Sequence, residues 1–353
     1  MTKPMHHTPR HAKDPSQLDA HPAVTVIVPL YNVERYVAEC LQSVQSQDFT
    51  DYEVLCIDDG STDATLAVAK AAVAGDDRFS FFSSPHGGQS AARNIGLDYA
   101  MGDFVIFLDS DDYWLSGCLS TLMAEMRHRN LDLLYFTADT RYEDAESAAA
   151  LQEDMLHRDS CHDVMSGPEL FIWFEERRQF WVSGPLQIVK RSLIEDHDIR
   201  LLEGCIHEDE LYTVQLLTYA ERATFLNAPL YMRRVRTGST MTQKRGMRNI
   251  KAFWRITRIM DEWIREHGAE YPPKFVDMYA RRIFESRDTM ARDSIFVDEA
   301  ELDAFAQTLS PSERAEFNIY VRDNGRNIDR LYKEMTDTTS FKVGNAIASV
   351  LRR

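Results

Sequence analysis

The sequence predicts an α/β protein in which helices flank a mostly parallel sheet and a helical C-terminal region follows. Short apolar runs rich in β-branched residues alternate four times with segments whose apolar residues recur at helical spacing. Each run ends in a polar or flexible cluster, and from residue 249 onward only helical periodicity remains. Parallel strands joined by right-handed crossovers are the simplest arrangement for such an alternation.

The four runs that we expect to form parallel strands are Val24–Val28, Tyr52–Ile57, Phe79–Phe82 and Phe104–Leu108. Further strands are expected at Leu131–Thr137 and Ala223–Tyr231, where similar residue types recur. Helices are expected between the strands, and another helix opens at Gly204–Leu211. The aromatic segment Phe171–Trp181 is either part of the core or a platform on which a carbohydrate ring stacks.

Polar or flexible clusters follow the four strands, and these are Pro29–Asn32, Asp58–Asp63, Pro85–Gln89 and Asp109–Asp112. In a parallel sheet the strand ends lie along one edge, where open α/β sheets bind their ligands. Turn chemistry alone does not readily account for four such clusters on one edge. The pattern therefore predicts a nucleotide site at this edge of the sheet.

The fourth cluster places three carboxylates within four positions, at Asp109, Asp111 and Asp112. Like charges at this spacing repel, so one carboxyl group must stay protonated or a cation must join them. Hard divalent cations take oxygen ligands of this kind. The motif taken alone also fits a solvated acidic turn, and only its position after a core strand favours a functional site.

Composition and charge narrow the class of protein. The formal net charge of -16 argues against a general nucleic-acid binder, which would carry a basic surface. The five cysteines are scattered without a C-x-x-C pair, so we expect thiols of a reducing compartment rather than a disulfide framework or a zinc site. No apolar run is long enough to span a bilayer, and the N-terminus lacks the apolar core of a signal peptide. A cytoplasmic protein is expected.

Changes in composition suggest four parts, namely a disordered tail over 1–21, an α/β domain over 22–241, a helical region over 242–340 and a terminal helix over 341–353. The tail is polar and rich in histidine. The terminal helix is basic and amphipathic, so it either lies on a membrane surface or packs as an ordinary helix. The span Ala138–Asp163 is acidic and rich in alanine, and we expect a variable excursion there.

Three carboxylates, Glu208, Asp209 and Glu210, fall in the first turn of the helix that opens after Gly204. Negative charge in a first turn suits the helix dipole, which gives a purely structural explanation. A carboxylate can also serve as a general base toward a hydroxyl group. The spacing of the three residues does not choose between these roles, nor among the three residues.

The segment Arg233–Thr240 combines three arginines with small residues that leave backbone N–H groups accessible. Arginine side chains and exposed N–H groups together suit a diphosphate. The sequence thus offers a nucleotide edge, a carboxylate cluster, a candidate base and a candidate phosphate loop.

These features resemble those of family 2 glycosyltransferases, which have the GT-A fold with a Rossmann-like sheet. The matching segments occur in the family's order, and they are Val26–Asn32, Asp58–Asp63, Gly88–Gly96, Phe107–Asp112, His207–Leu211 and Tyr231–Ser239. Each motif alone is a weak or moderate signal, but six in the same order are a strong one. The resemblance covers roughly residues 24–241 and leaves the helical C-terminal region without a match.

The resemblance implies an inverting enzyme that moves a sugar from a nucleoside-diphosphate donor, by family habit a uridine diphosphate sugar, to an acceptor hydroxyl. The residues that match nucleoside contacts are Pro29, Tyr31, Asp58, Asp59 and Arg93. Asp109 matches the carboxylate near the ribose and is a second candidate metal ligand, while Asp111 matches the principal ligand of Mg²⁺ or Mn²⁺.

The resemblance also assigns the base and the phosphate contacts. Asp209 matches the general base of a Glu-Asp pair, and Glu208 and Glu210 are the other candidates. The residues that match the donor's diphosphate contacts are Arg234, Arg236 and Ser239. His207 either completes the metal shell or is a satisfied loop histidine.

Two departures from the family's larger synthases narrow the expected acceptor. The chain lacks Gln-x-x-Arg-Trp and has no apolar run that would span a membrane, which favours a non-processive transferase. A lipid-linked saccharide of a surface polysaccharide or glycolipid is the expected acceptor, because the basic terminal helix could hold the enzyme at a membrane.

Other classes of protein remain as alternatives. A catalytically inactive nucleotide-sugar-binding protein would keep the same pocket. A metal-dependent phosphohydrolase of the haloacid dehalogenase type would need Asp-x-Asp-x-Thr on an early strand, whereas Asp109–Tyr113 follows the fourth. A glycoside hydrolase would need two opposed carboxylates but no nucleotide pocket.

Overall fold

The computed structural model describes residues 21–144, 159, 161, 163–235 and 245–322. Most of the predicted N-terminal tail, the terminal helix over 341–353 and most of the acidic excursion lie outside these residues. Within them an eight-stranded sheet runs in the order β3-β2-β1-β4-β7-β6-β8-β5.

The first half of the sheet follows the predicted alternation closely. Its elements are β1 (Val24–Leu30), α1 (Val37–Gln45), β2 (Tyr52–Asp58), α2 (Thr65–Ala72), β3 (Phe79–Ser83), α3 (Gln89–Tyr99) and β4 (Phe104–Phe107). β1 pairs parallel with β2 and with β4, and β2 pairs parallel with β3. Every residue of β1 is buried, as expected for a strand covered on both faces.

The second half makes the sheet mixed. Its elements are β5 (Tyr113–Trp114), α4 (Cys118–His128), β6 (Leu133–Tyr142), α5 (Gly167–Glu176), β7 (Gln187–Lys190), α6 (Arg191–Asp196), α7 (Glu208–Tyr219) and β8 (Ala223–Val235). β7 pairs antiparallel with both β4 and β6, whereas β8 is parallel to β6 and antiparallel to β5. The predicted strands near residues 131 and 223 are thus present, and β5 and β7 are additional.

A glycine sets the distance between α3 and the sheet. A Cβ atom at Gly96 would lie 2.4 Å from Cγ2 of Ile27, a residue of β1. The helix can approach β1 this closely only because position 96 has no side chain. This packing fixes the start of α3, which carries Gln89 and Arg93, relative to the carboxyl ends of β1 and β4.

The C-terminal region is helical, as the sequence predicts. Its helices are α8 (Met247–His267), α9 (Pro273–Ser294), α10 (Glu299–Thr308) and α11 (Pro311–Arg322). They share a buried cluster that includes Ile250, Trp254, Met290 and Phe317. Among the described residues, no helix is long and apolar enough to cross a membrane.

The chain divides into two compact units. The first contains the described residues up to 167, then 181–204 and those from 212 to 235, and the second contains 168–180, 205–211 and 245–322. The helical unit therefore includes two short segments that we expected within the α/β domain. One of them holds the aromatic residues Phe171 and Phe174, which are buried and so belong to its core.

Candidate functional site

The turn that follows β4 is oriented by α3. Asp109 accepts hydrogen bonds at Oδ1 from Nη2 of Arg93 at 2.6 Å and from Nε2 of Gln89 at 2.8 Å. The side chain of Arg93 is only 3% exposed, while that of Asp109 is 27% exposed. The structure thus brings together two residues that the sequence places at the site, and it adds Gln89. A buried arginine aims a carboxylate that solvent and ligands can reach.

Asp112 ties the same turn to β8. Its Oδ2 accepts a hydrogen bond from the Tyr231 hydroxyl and its Oδ1 accepts one from the backbone N–H of Arg234, both at 2.6 Å. Burial raises the pKa of Asp112 well above its usual range, and the nearby charges of Asp111 and Asp109 raise it further. Asp112 therefore has a structural role, which the sequence did not assign.

Asp111 is half-buried, and its backbone carbonyl accepts a hydrogen bond from Nε of Arg234 at 2.8 Å. Within the described part of the chain, no group of three or more His, Cys, Asp or Glu side chains could hold a metal ion by itself. Mg²⁺ is commonly held by one or two carboxylates together with substrate phosphates. The accessible carboxylates of Asp109 and Asp111 fit that shared mode of binding, and a cage made of protein ligands alone does not fit.

The carboxylates that follow β2 shape the neighbouring loops. Asp59 is almost fully buried and accepts hydrogen bonds from the backbone N–H groups of Gly87 at 2.7 Å and Gly88 at 2.9 Å. Nδ1 of His86 lies 2.8 Å from Oδ2 of Asp59. Asp58 is also buried, and its Oδ1 accepts a hydrogen bond from the N–H of Ser61. A direct contact of either carboxylate with a nucleoside remains a prediction.

An exposed aromatic pair follows β1 and β3. Tyr31 is 43% exposed, and its ring stacks on that of His86 with centroids 4.2 Å apart and planes 18° apart. Aromatic faces at this edge suit the stacking of a nucleobase. Pro29, in contrast, is buried within β1. The polar cluster Pro85–Gln89 pointed to this loop, but nothing in the sequence singled out His86.

Arg234 has partners that differ from the expected diphosphate. Its side chain is 5% exposed, with Nη2 donating to Glu39 at 2.6 Å and Nη1 donating to Glu143 at 3.2 Å. The expectation that this guanidinium binds phosphate is therefore at odds with its surroundings, since two carboxylates already neutralise it. The other predicted diphosphate contacts, Arg236 and Ser239, lie outside the described residues.

In the second unit, the first turn of α7 separates its three carboxylates by their environment. Glu210 is buried and forms an ion pair with Arg282 of α9, with Nε of the arginine 3.1 Å from Oε2. Glu208 is buried as well, whereas Asp209 is partly exposed. Asp209 is thus the most accessible of the three, and Glu210 is committed to a structural pair.

His207 precedes this turn and has the surroundings of a loop histidine. Its Nε2 lies 3.1 Å from the amide nitrogen of Asn249, and its ring stacks on Phe253 with centroids 4.8 Å apart. Burial lowers the pKa of His207, so the neutral ring is favoured. Because the Asn249 amide can donate only to an unprotonated Nε2, that nitrogen's lone pair is engaged. These contacts favour the structural alternative over a metal ligand.

Comparison with known proteins identifies the α/β region. Residues 25–183 match the model of glycosyl transferase family 2. Residues 25–183 are therefore of the family 2 glycosyltransferase type. The chain is 31% identical over 220 residues to the glycosyltransferase GlyA of Streptococcus pneumoniae, an alignment that covers 61% of this chain and 31% of that protein. The chain therefore spans less than a third of this relative's length.

Two further matches extend the comparison. Over 104 residues the chain is 43% identical to a GalNAc(5)-diNAcBac-PP-undecaprenol beta-1,3-glucosyltransferase of Campylobacter jejuni, and the alignment covers 29% of this chain and 34% of that protein. The crystal structure of S. aureus TarS 1-349 in complex with UDP-GlcNAc superposes with a TM-score of 0.62 at 22% identity, covering 88% of this chain and 91% of that one. The structural likeness confirms the predicted α/β fold of GT-A type with a helical C-terminal region.

Proposed function

We propose that this protein transfers a sugar from a uridine diphosphate sugar to an acceptor hydroxyl with inversion at the anomeric carbon. The observation that carries the proposal is the Asp109–Asp112 turn, which presents two accessible carboxylates at the end of β4. β1 is the neighbouring strand, so the exposed ring of Tyr31 follows the adjacent strand end. Carboxylates for the ribose and a cation, next to a stacking surface for the base, suit a nucleoside diphosphate.

Asp111, with Asp109, is the proposed ligand of Mg²⁺ or Mn²⁺. A bound divalent ion would offset the negative charge that a departing nucleoside diphosphate accumulates. Asp109 is held in place for the donor by Arg93 and Gln89. Arg236 and Ser239 remain the proposed contacts of the diphosphate, on the resemblance to the family alone.

Asp209 is the proposed general base, and Glu208 is the alternative. The acceptor hydroxyl is a poor nucleophile until its proton is removed during attack, and such a base contributes roughly 10²–10⁴ in rate. A single displacement on the face opposite the leaving group inverts the anomeric centre. The exposure of Asp209 supports the choice, since Glu210 is paired with Arg282 and Glu208 is buried.

For the acceptor we propose a lipid-linked saccharide in the synthesis of a surface polysaccharide or glycolipid. The name of the Campylobacter jejuni relative, whose substrate is linked to undecaprenol through a diphosphate, supports this class of acceptor. The basic terminal segment 341–353 is proposed to bring the enzyme to the cytoplasmic face of the membrane.

The base assignment is tested with the Asp209→Asn variant. We expect Mn²⁺-dependent binding of uridine diphosphate, measured by calorimetry, to stay within about twofold of wild type because the amide keeps the shape of the side chain. Release of uridine diphosphate from UDP-GlcNAc, UDP-glucose or UDP-galactose should fall by roughly 10²–10⁴. Glu208→Gln is the matched variant, and it should retain most of the activity. Full turnover in Asp209→Asn would refute the assignment.

A further inference from the structure

All three nitrogens of the Arg234 guanidinium donate to protein oxygens of the first unit. Nε donates to the backbone carbonyl of Asp111 at 2.8 Å, Nη1 donates to Glu143 at 3.2 Å and Nη2 donates to Glu39 at 2.6 Å. Each of the three nitrogens therefore has an acceptor. With 5% of the side chain exposed, the group is poorly placed to take a phosphate as a further partner.

Aromatic rings enclose the same guanidinium. Its central carbon lies 4.9 Å from the centroid of Tyr36 and 5.5 Å from that of Tyr113. The hydroxyl of Tyr36 in turn donates to Oε2 of Glu143 at 2.9 Å. The attraction between a cation and an aromatic face is stronger where water is excluded, so the rings and carboxylates together fix Arg234 in one place.

The fixed arginine meets the acidic turn at two points. Its backbone N–H donates to Oδ1 of Asp112, and its side chain donates to the carbonyl of Asp111. The hydroxyl of Tyr231, three residues earlier in β8, donates to Oδ2 of Asp112 and accepts from the N–H of Asp109 at 3.4 Å. β8 therefore fixes the orientation of the backbone at Asp109 and at Asp111, the two partly exposed carboxylates of the turn.

We propose that Arg234 is a positioning residue: anchored by Glu39 and Glu143, it holds the Asp109–Asp112 turn in the shape that donor binding needs, and it does not bind the diphosphate itself. The inference rests on the proposed function, because it concerns the same donor site. A phosphate in contact with Arg234 would have to displace two carboxylates that already neutralise it, and it would meet their negative charge.

The two roles of Arg234 predict opposite effects of Glu39→Gln. If Arg234 bound phosphate, loss of a competing carboxylate would leave affinity for uridine diphosphate unchanged or raise it. If Arg234 positions the turn, Glu39→Gln and Arg234→Gln should each weaken Mn²⁺-dependent binding of uridine diphosphate about tenfold. The double variant should then bind no more weakly than Arg234→Gln, because both changes break one linkage.

The binding experiment is calorimetric titration of the full chain with uridine diphosphate and uridine monophosphate, each with Mn²⁺ and with EDTA. Arg141→Gln is the matched control, because Arg141 contacts the same Glu39 at 3.4 Å but is itself half-exposed. Its other side-chain contact is with the hydroxyl of Tyr113 at 3.5 Å, which lies just beyond the Asp109–Asp112 turn. We expect this control to bind as wild type does. The proposal would be overturned if Arg234→Gln weakened the binding of uridine diphosphate but not of uridine monophosphate, while Glu39→Gln bound uridine diphosphate as tightly as the wild type or more tightly.

Hydrogen exchange of the nucleotide-free protein gives a second, independent readout. Peptides covering residues 108–116 should exchange about tenfold faster in Glu39→Gln and in Arg234→Gln, and at the wild-type rate in Arg141→Gln. Unchanged exchange in the first two variants would overturn the positioning role. If the wild type binds neither nucleotide, the proposed function fails, and the exchange rates still decide whether Arg234 holds the turn.

Discussion

At the scale of single residues, the acidic turn shows how neighbouring carboxylates acquire different roles. Asp109 is aimed by a buried arginine, Asp111 is half-buried, and Asp112 is buried between Tyr231 and the backbone of β8. Of three identical side chains within four positions, two therefore present carboxylates that a ligand can reach, and the third is a structural anchor. The division depends on what each residue meets in the fold and not on the motif.

The anchor can be tested by removing the hydroxyl of Tyr231. Tyr231→Phe keeps the packing of a fully buried ring but leaves an oxygen of Asp112 without its 2.6 Å donor. An unsatisfied buried acceptor costs about 1–3 kcal/mol, so urea unfolding should show a loss of that size. Tyr142→Phe, on the exposed part of β6, is the control and should change the free energy of unfolding by less than about 0.5 kcal/mol. Equal losses in both variants would contradict the anchor.

Several of the site residues that the sequence predicted stand at strand ends, and Asp109 is one of them. The structure joins it at 2.6 Å to Arg93, a predicted residue within α3. Glu39 could not be found in this way, because its partner Arg234 is 195 positions away and a glutamate in a first helical turn has an ordinary structural explanation. His86 was missed for a similar reason, since its contact with Asp59 depends on how two loops meet.

At the scale of elements, patterns in sequence located the strands that are buried and parallel. β1 and β2 are β-branched apolar runs, and their bounds agree with the prediction to within a few residues. β5 and β7 contain only two and four residues, and each depends on a pairing with a distant strand. Such short elements carry little periodicity of their own, so local pattern could not identify them.

Helix α5 in the second unit contains a buried acid with a clear pH effect. Burial raises the pKa of Glu175 from its ordinary 4.5 to about 7, so the folded protein holds a proton there that the unfolded chain releases. The free energy of unfolding should therefore be highest below pH 4.5 for this group and should fall, by on the order of 3 kcal/mol, as the pH rises to about 7.

The Glu175→Gln variant should lose this contribution. Urea unfolding at about pH 5 and pH 8 should show a smaller difference in the variant than in the wild type, with the variant the more stable of the two at the higher pH. Glu169→Gln, an exposed glutamate of the same helix, is the control and should keep the wild-type difference. The same pH difference in wild type and Glu175→Gln would show that this carboxyl group titrates normally.

At the scale of the whole molecule, the donor carboxylates and the candidate base belong to different compact units. Asp109 and Asp111 lie in the first unit, and Asp209 lies in the segment 205–211 of the second. Helix α7 belongs to both units, because its first four residues lie in the second unit and residues 212–219 lie in the first. From composition we placed residues 205–211 in the α/β domain. Composition and periodicity do not reveal which core a short turn packs against.

The measurement that tests the account most directly is titration of the wild-type protein and Asp111→Ala with a panel of nucleoside-diphosphate sugars, with Mn²⁺ and with EDTA. We predict that at least one uridine diphosphate sugar binds the wild type, that EDTA weakens this binding, and that Asp111→Ala lowers the affinity in Mn²⁺ about tenfold or more. Asp139→Ala, on the exposed end of β6, should bind as the wild type does. Wild-type affinity in Asp111→Ala, or no binding of any donor in the panel, would contradict a donor site at the Asp109–Asp112 turn.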